Sequence, residues 1–299
     1  MLISLINADK FVFEVTKDIL KNIYKERPQK VKKYDYGLLL VIGGSEFYSG
    51  SPALSAMAAF KSGVDMVRIV APKRAADIIA SFSPNLAAYP VKGEYLTRDQ
   101  LPTLLSMAES AKAVSYGKTA VVIGGGMGRT EEVQNTILEF LSQIQDIPIV
   151  IDADAIHAVV KKPEILAEKQ FLLTPHSYEF YVLTGKEIYK LSDEEKIKVI
   201  EQEAARLQTT ILVKGKIDII SNGKETAQIQ GGSLYMTKGG MGDTLAGICG
   251  ALLARGCSVF EAACAASYIN KKAGEIACQK LKESVTATDL IEAIPEAIH

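Results

Sequence analysis

The chain has 299 residues, 48% of them hydrophobic and 7% aromatic, with no tryptophan, and its 34 Lys and Arg residues nearly balance its 35 Asp and Glu residues. This is enough apolar material for a sizeable core in one large domain or two small ones. Because the chain has neither a basic excess nor a polybasic run, nucleic acid and anionic membrane surfaces are not expected as partners.

The N-terminal residues 1–6 have no basic segment before their apolar run, and the run is too short for a signal peptide. No stretch of the chain approaches the roughly 18 consecutive apolar residues of a membrane-spanning helix. We therefore expect a cytoplasmic protein without a membrane anchor.

The first clear element is a continuous apolar run over 38–42, which Gly43, Gly44 and Ser45 close. An unbroken apolar run of this length indicates a strand that is buried on both faces, as in a parallel sheet. A helix should follow, with Ser51 as its N-cap and Pro52 at its first position.

The same alternation of strand and helix continues along the chain. It predicts a three-layer α/β domain with a mostly parallel central sheet. The predicted strands cover 66–70, 120–123, 148–151, 171–173 and 210–213, and the predicted helices cover 131–143 and 193–207.

An antiparallel hairpin interrupts this pattern, because the turn Asn222-Gly223 joins two strand-like runs at 217–221 and 226–229. After the hairpin the chain is nearly all helix, over 243–255 and 258–280. No internal repeat or linker divides the sequence, so we expect a single domain over 1–299.

Five short segments that are rich in glycine or polar residues follow predicted strands. In an open α/β sheet, ligands bind outside the carboxyl ends of the strands, so these segments should converge on one cleft. They are 43–45, 124–128, 152–154, 174–176 and 214–215.

The most informative segment is 237–247, a glycine-rich loop that runs directly into an apolar helix with Asp243 at the junction. Glycines and a helix N-terminus together form a ready site for a phosphate. A carboxylate there suits a base that takes a proton from an attacking hydroxyl. The alternative is that Asp243 only caps the helix; the loop alone leaves both interpretations open.

The glycines at 124, 126 and 128 do not match a dinucleotide-binding fingerprint, because its last glycine would fall at Arg129. They suit either a backbone surface against a bulky ligand or a flexible turn into the next helix. Asp152 and Asp154 follow the next strand, where they either cap a helix or hold Mg²⁺ through water.

His176 follows a proline that keeps the chain extended, so its imidazole is expected to face the cleft and bind a ligand. Glu179 is either a second polar contact or a solvated acid at a helix start. Lys214 supplies a point charge for a phosphate, whereas Lys216 is expected in solvent. No P-loop motif is present.

The cysteines are Cys249, Cys257, Cys264 and Cys278, all in the C-terminal helical region and none in a CxxC pair. Cysteines on apolar helix faces act mostly as small buried hydrophobes. Neither a disulfide framework nor a zinc site is expected.

Taken together, these segments resemble the ADP/ATP-dependent NAD(P)H-hydrate dehydratases of the ribokinase-like superfamily. The resemblance runs from about residue 33 to residue 277 and includes six motifs in the family's order. They are Val-Ile-Gly-Gly-Ser at 41–45 with Tyr-Ser-Gly-Ser-Pro at 48–52, the glycines at 124–128, Ile-Asp-Ala-Asp-Ala at 151–155, Leu-Thr-Pro-His at 173–176, Val-Lys-Gly at 213–215, and Gly-Met-Gly-Asp-Thr-Leu-Ala-Gly at 240–247.

The sequence departs from the family pattern at several positions. Gly125 and Met127 stand where the family usually has Pro and Leu, Ser177 stands where it has Pro, and Asn270 stands where it has His. The epimerase domain that often precedes this one is not expected, since residues 1–35 form only a short extension packing on the domain.

The resemblance implies repair of NADHX and NADPHX, which are nicotinamide cofactors with water added across a ring double bond. The ring hydroxyl of the S form would be phosphorylated by ADP or ATP with Mg²⁺, and loss of phosphate would restore NADH or NADPH. Asp243 would be the base, ionised at pH 7 with an ordinary pKa of about 3.9. The metal ligands stay unassigned, and a homo-oligomer, by family a tetramer, is expected.

The resemblance also implies two groups of binding residues. The hydrated cofactor would contact Ser51, Gly128, His176 and Asp243, and the nucleotide would contact Lys214, Gly215, Lys216, Ile217, Asp218, Gly240, Met241 and Gly242. The main alternative is a ribokinase-like kinase of a small alcohol such as a vitamin, which would stop at the phosphorylated product. A catalytically silent nucleotide-binding module is disfavoured by the charge of Asp243.

Overall fold

The computed structural model describes residues 3–7 and 10–299, with side chains from residue 12 onward. The signal-peptide prediction for residues 1–6 falls partly on residues 1 and 2, and the predicted N-terminal extension falls partly on residues 1, 2, 8 and 9, all of which lie outside the described residues. The strands are β1 Ile3–Asn7, β2 Lys10–Glu14, β3 Leu38–Ile42, β4 Met66–Pro72, β5 Ala87–Val91, β6 Thr119–Ile123, β7 Ile149–Ile151, β8 Phe171–Leu173, β9 Thr210–Val213, β10 Asp218–Ser221 and β11 Thr226–Ile229.

The helices occupy the segments between and after these strands. In the part of the chain that is described, no helix is long and apolar enough to cross a bilayer. The helices are α1 Ile19–Ile23, α2 Gly50–Lys61, α3 Lys73–Phe82, α4 Leu101–Val114, α5 Glu131–Gln143, α6 Asp154–Val159, α7 Ser177–Thr184, α8 Asp193–Leu207, α9 Met241–Ala254, α10 Val259–Leu281 and α11 Ala287–Ile298.

All of these strands form one sheet, in the order β1-β2-β11-β10-β9-β8-β7-β6-β3-β4-β5. The strands from β9 to β5 in this order pair in parallel. Strand β10 is antiparallel to both β9 and β11, as the predicted hairpin requires. The predicted mostly parallel α/β sheet with a small antiparallel part is therefore confirmed.

The sheet separates two apolar cores, and alternate residues of each central strand enter one or the other. In β3, Leu39 and Val41 pack with α2 and the C-terminal helices, whereas Leu40 and Ile42 pack with α4 to α8 on the opposite face. All five β3 residues are buried. This two-sided burial explains why the strand appears in the sequence as an unbroken apolar run.

The chain reverses its direction across the sheet between β3 and β6. It runs outward from β3 to β5 and then returns to place β6 on the other side of β3. The loops that follow β3 and β6 lie against each other, since the Gly44 amide donates to the Gly125 carbonyl at 2.8 Å. A switch point of this kind is where open α/β sheets form their ligand clefts.

Helices α2 and α9 meet backbone to backbone on one face of the sheet. A Cβ atom at Gly247 would lie 2.1 Å from the carbonyl oxygen of Ser55, so only glycine permits this approach. The Ser55 hydroxyl also donates to the Asp243 carbonyl at 2.9 Å. These contacts fix the start of α9 against the start of α2.

The N-terminal segment also contacts the rest of the molecule. Strand β2 runs parallel to β11, and Leu20 of α1 is buried in the core beside the C-terminal helices. The Arg255 guanidinium lies over the Tyr24 ring at 4.8 Å and the Tyr36 ring at 5.0 Å. That residues 1–299 form a single domain remains a prediction.

Three predicted helix starts are wrong in detail. Helix α2 has Ser49 at its N-cap, so Ser51 lies inside the first turn. Helix α9 begins at Met241 after Gly240, whose φ of 91° is the left-handed conformation that glycine allows, so Asp243 is not a cap. Helix α6 begins at Asp154 after Ala153, so neither Asp152 nor Asp154 occupies the capping position.

Candidate active site

The five predicted segments do come together at the carboxyl edge of the sheet, where the first turn of α9 faces them. The site is built around Asp243, which is the third residue of α9. Its carboxylate accepts a hydrogen bond from the Ser51 hydroxyl in the first turn of α2. The capping interpretation of Asp243 is therefore wrong, and the carboxylate is directed into the cleft.

The surroundings of Asp243 favour its neutral form more than water does. Burial raises the pKa of the carboxyl to about 6, and the nearby Asp152 charge acts in the same direction. The Ser51 hydrogen bond and the Lys214 ammonium lower the pKa and partly offset the rise. The ordinary pKa expected from the sequence was therefore too low, because the surroundings raise the pKa of Asp243 to about 6.

The glycine turn after β6 lies directly over this carboxylate. A Cβ atom at Gly125 would lie 2.0 Å from the Ser51 hydroxyl oxygen and 3.3 Å from Asp243 Oδ1. At Gly124, where φ is 128°, a Cβ atom would lie 1.8 Å from the Asp152 carbonyl oxygen. The turn thus presents only backbone atoms to the cleft. This is what its interpretation as a backbone surface against a bulky ligand requires.

Gly128 at the end of the same turn is held by Asp154. The Asp154 carboxylate accepts the Gly128 amide at 2.8 Å and the Arg129 Nε–H at 2.7 Å. Asp154 therefore shapes the turn rather than capping α6.

Beneath Asp243 lies a buried network of charges. Lys214 Nζ donates to Asp152 Oδ1 at 2.9 Å and lies 3.8 Å from Glu179 Oε2, and the Thr174 hydroxyl donates to the same Asp152 oxygen at 2.7 Å. Burial by itself lowers the pKa of the Lys214 ammonium, but the two carboxylates outweigh it and raise that pKa. A Cβ atom at Gly242 would lie 3.3 Å from Lys214 Nζ, so the ammonium reaches the first turn of α9.

His176 and Glu179 form a reciprocal cap at the start of α7. His176 Nδ1 accepts the amides of Tyr178 at 3.2 Å and Glu179 at 3.3 Å, and Glu179 Oε2 accepts the His176 amide at 2.9 Å. The His176 side chain is 54% exposed, whereas that of Glu179 is 7% exposed. Glu179 is thus a buried capping residue, so its interpretation as a solvated acid is wrong.

A cavity of about 870 Å³ opens beside the first turn of α9. Among the predicted nucleotide-binding residues, Lys214, Gly215, Lys216, Ile217, Asp218, Met241 and Gly242 line the cavity, as does His176. Gly240 does not line it, and instead forms the turn before α9.

Two predicted nucleotide-binding residues differ in whether their side chains can reach a ligand in the cavity. The Asp218 carboxylate is buried and accepts hydrogen bonds from the Gly215 amide at 2.9 Å and the Ser267 hydroxyl at 2.7 Å. The Lys216 side chain is exposed, as expected. Asp218 therefore supports the loop from within, while Lys216 remains free to reach into the cavity.

The cavity also contains residues that were not predicted. Gly231 and Gly232 follow the hairpin with φ angles of 115° and 81°, and Lys271 projects from α10 behind them. The glycine pair after β11 was a signal for a special turn. Lys271 carries no comparable signal, because Asn270 and Lys272 flank it and it is one of several polar residues of α10.

No group of three or more His, Cys, Asp or Glu side chains placed to hold a metal ion occurs within residues 3–7 and 10–299. Cys249, Cys264 and Cys278 are buried, and Cys257 is partly buried. The carboxylates of the cleft instead hold lysine, hydroxyl and amide partners.

Comparison with known proteins gives matches over most of the chain. A family model described as NAD(P)H-hydrate dehydratase matches residues 39–296. The ADP-dependent (S)-NAD(P)H-hydrate dehydratase of Nitrosopumilus maritimus is 34% identical over 280 residues, which is 94% of each chain. The bifunctional NAD(P)H-hydrate repair enzyme of Pyrobaculum aerophilum is 38% identical over 268 residues, 89% of this chain. The chain spans about half the length of such bifunctional relatives, 51% in that case.

Solved structures share the fold. A ribokinase-like superfamily protein of Enterococcus faecalis superposes with a TM-score of 0.82 at 24% identity, covering 95% of this chain and 94% of that one. The ADP/ATP-dependent NAD(P)H-hydrate dehydratase of Bacillus subtilis, co-crystallized with ATP/Mg²⁺, gives 0.75 at 23% identity, covering 94% and 96%. A hydroxyethylthiazole kinase of Pyrococcus horikoshii gives 0.60 at 16% identity, covering 93% and 92%. The fold is therefore ribokinase-like.

Proposed function

This chain belongs to the NAD(P)H-hydrate dehydratase family, and we propose that it converts the S form of NADHX or NADPHX to NADH or NADPH at the expense of ADP or ATP. The observation that carries the proposal is the position of Asp243. This carboxylate has a pKa of about 6 and lies at the start of α9, between a backbone-only glycine turn and a cavity large enough for a nucleotide.

In the first step, Asp243 accepts the proton of the ring hydroxyl as the hydroxyl oxygen attacks the terminal phosphorus of the nucleotide. The new oxygen–phosphorus bond forms while the bond to the departing nucleotide breaks, releasing AMP from ADP or ADP from ATP. General-base catalysis of this kind contributes about 10²- to 10⁴-fold to the rate. A base with a pKa near the working pH is the most effective.

In the second step, the phosphorylated ring loses phosphate. The ring nitrogen supplies the electron pair that breaks the carbon–oxygen bond, and a proton leaves the adjacent carbon, so that the ring double bond is restored. Phosphate leaves far more readily than hydroxide, which is why a dehydration consumes a nucleotide. A plain kinase would lack this second step.

The surrounding groups bind and orient the reactants. The Ser51 hydroxyl holds the Asp243 carboxylate, and the Gly128 amide is fixed by Asp154 at the mouth of the glycine turn. His176 accepts two amides at Nδ1, so in its neutral form the proton lies on Nε2 and can be donated to the substrate. Amides in the first turn of α9 face the transferring phosphoryl group, where they stabilise negative charge.

The nucleotide is proposed to occupy the cavity beside α9. Lys214 reaches the first turn of α9, and the exposed Lys216 and the backbone of the 214–218 loop border the same space. Both ADP and ATP present a terminal phosphoryl group to this position. The ADP dependence of the relative from Nitrosopumilus maritimus favours testing ADP first.

Mg²⁺ is proposed as the accompanying ion. Mg²⁺ keeps several waters and is usually held by one or two carboxylates together with substrate phosphates. That coordination needs few protein ligands, and the cleft offers Asp152 and Asp243, which lie close enough for the charge of Asp152 to raise the pKa of Asp243. When bound, the ion would neutralise charge on the phosphates of the donor.

A second candidate is a kinase of a small alcohol, because a hydroxyethylthiazole kinase shares this fold. Both activities would use the same base and the same nucleotide cavity. They differ in whether phosphate remains on the product.

Three further expectations accompany the proposed activity: a single domain over 1–299, a location in the cytoplasm, and a homo-oligomer, by family a tetramer. Size-exclusion chromatography with light scattering would test the oligomeric state.

The proposed activity is tested by incubating the purified chain with chemically hydrated NADH or NADPH, Mg²⁺ and either ADP or ATP. Recovery of the near-ultraviolet absorbance of the dihydronicotinamide, dependent on nucleotide, supports the dehydratase and identifies its donor. Nucleotide consumption without recovery, together with a stable phosphorylated product from a small alcohol, would instead favour the kinase. No recovery with either donor contradicts the dehydratase.

A further inference from the structure

Three polar side chains form a row along one face of α10, and all three reach the loops that border the nucleotide cavity. Ser267, Lys271 and Glu275 are spaced four residues apart, which places them one above another on the helix. We call them the α10 polar row. Lys271 is buried, although lysine is rarely buried unless its charge is matched.

The Lys271 ammonium joins two separate loops. Its Nζ donates to the carbonyl oxygens of Gly215 at 2.9 Å and Lys216 at 3.1 Å on one side, and of Gly231 at 3.3 Å on the other. It also lies 3.2 Å from Asp218 Oδ1. An ammonium has three hydrogen atoms, and here four oxygens take them up, so none is left for a phosphate.

The two ends of the row complete this arrangement. Ser267 donates to Asp218 Oδ2 at 2.7 Å, while Oδ1 of the same carboxylate accepts the Gly215 amide at 2.9 Å. At the other end, Glu275 Oε1 accepts the Gly232 amide at 2.9 Å. Each of the two loops is therefore held by two residues of the α10 polar row.

The second loop needs such support because its own conformation is unusual. Gly231 and Gly232 both have φ angles in the left-handed region, and no strand or helix contains them. Glycines have the largest backbone freedom to lose on ordering. Without an anchor, this wall of the cavity would sample many positions.

We infer that Lys271 is a positioning residue for the phosphoryl donor: with Ser267 and Glu275 it holds the 214–218 loop and the 230–232 loop at the separation that the nucleotide requires. This inference rests on the proposed use of the cavity by ADP or ATP. It assigns Lys271 no contact with the reacting atoms. The effect of its loss should therefore fall on nucleotide binding and not on the hydrated cofactor.

The test compares Lys271→Met, Lys271→Arg and Lys280→Met, the last on an exposed turn of the same helix. Isothermal titration calorimetry with ADP and with ATP, without the hydrated cofactor, gives the dissociation constant. Lys271→Met should weaken nucleotide binding between about tenfold and a hundredfold, which corresponds to about 1.4–2.8 kcal/mol. The dissociation constant of Lys271→Arg, which still donates to several carbonyls, should lie between those of the wild type and Lys271→Met. Lys280→Met should bind the nucleotide as the wild type does.

A second pair of variants keeps the test decisive if Lys271→Met does not fold. Glu275→Ala removes the acceptor of the Gly232 amide, whereas Glu275→Gln retains an oxygen at that place. We expect weaker nucleotide binding and a raised nucleotide KM for the first and nearly wild-type values for the second. The KM for the hydrated cofactor should change less than about twofold in both.

Wild-type nucleotide affinity in folded Lys271→Met or Glu275→Ala would overturn the inference. So would equal increases in both KM values, which would indicate general damage to the structure. If the wild type binds nucleotide but does not restore the dihydronicotinamide, the proposed dehydratase fails while the role of Lys271 can still be upheld by the binding data. A wild type that binds neither ADP nor ATP overturns both.

Discussion

The Ser51 hydroxyl donates a hydrogen bond to the Asp243 carboxylate and so joins the first turns of two helices that lie 192 residues apart in the sequence. Both helix N-termini carry partial positive charge, which favours an anion between them. Burial and the nearby Asp152 charge oppose the anion and outweigh the Ser51 hydrogen bond and the Lys214 ammonium, so the pKa of Asp243 is raised to about 6. The Ser51 contact thus positions the proposed base, and it is one of the groups that set the pKa of this carboxyl.

Replacing this base should remove the reaction while leaving the nucleotide cavity intact. Asp243→Asn is expected to lower kcat by about 10²- to 10⁴-fold, the usual contribution of a general base. Nucleotide affinity should change little, because the Asp243 carboxylate faces the Ser51 side of the cleft. Recovery of dihydronicotinamide absorbance measures kcat, and Asp77→Asn on the exposed face of α3 is the control. A kcat within about tenfold of the wild type would show that Asp243 is not the base.

The pH dependence of the reaction should report the same carboxyl. Asp243 must be ionised to accept a proton, so activity should fall as the pH drops through about 6. An unperturbed aspartate would keep the activity constant down to about pH 4. Values of kcat/KM, obtained from initial rates between pH 5 and pH 8, distinguish these profiles. A kcat/KM that stays constant through pH 6 would contradict the assignment of Asp243 as the base.

Substitution of two neighbours of Asp243 should shift the acidic limb of the pH profile, where kcat/KM falls as the pH drops, in opposite directions. Ser51→Ala removes a hydrogen bond that lowers the pKa of Asp243, so the limb should shift to higher pH. Asp152→Asn removes a negative charge that raises this pKa, so the limb should shift to lower pH. The two pH profiles are measured in parallel with the wild type. A shift of both variants in the same direction would mean that another group controls the profile.

The raised pKa of Asp243 also predicts a cost in stability at neutral pH. Its folded-state pKa of about 6 exceeds the unfolded value of about 3.9. Between these values the folded state binds more protons, so the free energy of unfolding falls as the pH rises and the penalty is complete above pH 6. Asp243→Asn should therefore be more stable than the wild type at pH 8, by up to about 3 kcal/mol, and the difference should shrink toward pH 4.

Urea denaturation of both proteins at pH 8 and pH 5 measures this difference. Asp77→Asn again serves as the control, since its carboxylate is exposed. An Asp243→Asn protein that is less stable than the wild type at pH 8 would show that the buried carboxylate does not destabilise the folded protein.

The glycine turn over Asp243 should tolerate no side chain. In Gly125→Ala the new methyl would lie 2.0 Å from the Ser51 hydroxyl oxygen, so either the turn or the hydroxyl must move. We expect a loss of activity of about tenfold or more and destabilisation of about 1–3 kcal/mol, as in other overpacked sites. Activity assays and urea denaturation measure the two effects.

Gly50→Ala is the matched control for this substitution. No atom lies within 4 Å of a Cβ at Gly50, which is the first residue of α2. Alanine favours a helix more than glycine does, so this variant should be as stable as the wild type or slightly more so. Equal losses in the two variants would show that the contact at Gly125 is not responsible.

Local sequence patterns predicted most of the sheet and the convergence of the loops that follow its parallel strands. Five elements lie at their predicted positions, because each has a strong apolar pattern and is bounded by glycine or polar residues. They are strands β3, β8 and β9 and helices α5 and α8. The hairpin was visible from Asn222-Gly223. Helix α11 was not predicted, although its buried face packs in the core beside α2 and α10.

What the sequence could not show are contacts between distant segments. Ser51 has the local context of a helix cap, and only the close approach of α2 and α9 turns its hydroxyl toward Asp243. The raised pKa of Asp243 has the same origin, because it depends on burial and on a charge from another strand. Lys271 was missed because its partners, three backbone carbonyls and the Asp218 carboxylate, lie far from it in the sequence.

The position of α9 late in the chain has a consequence for biosynthesis. A ribosome completes every strand of the sheet before it reaches α9, so at that stage the nascent chain has the loops at the rim of the cleft but lacks Asp243. The apolar surface that β3, β6 and β7 present to α9 stays uncovered during that interval. Uncovered apolar sheets are prone to aggregation. Emergence of α9, α10 and α11 therefore ends the vulnerable period and brings Asp243 to the cleft in the same event.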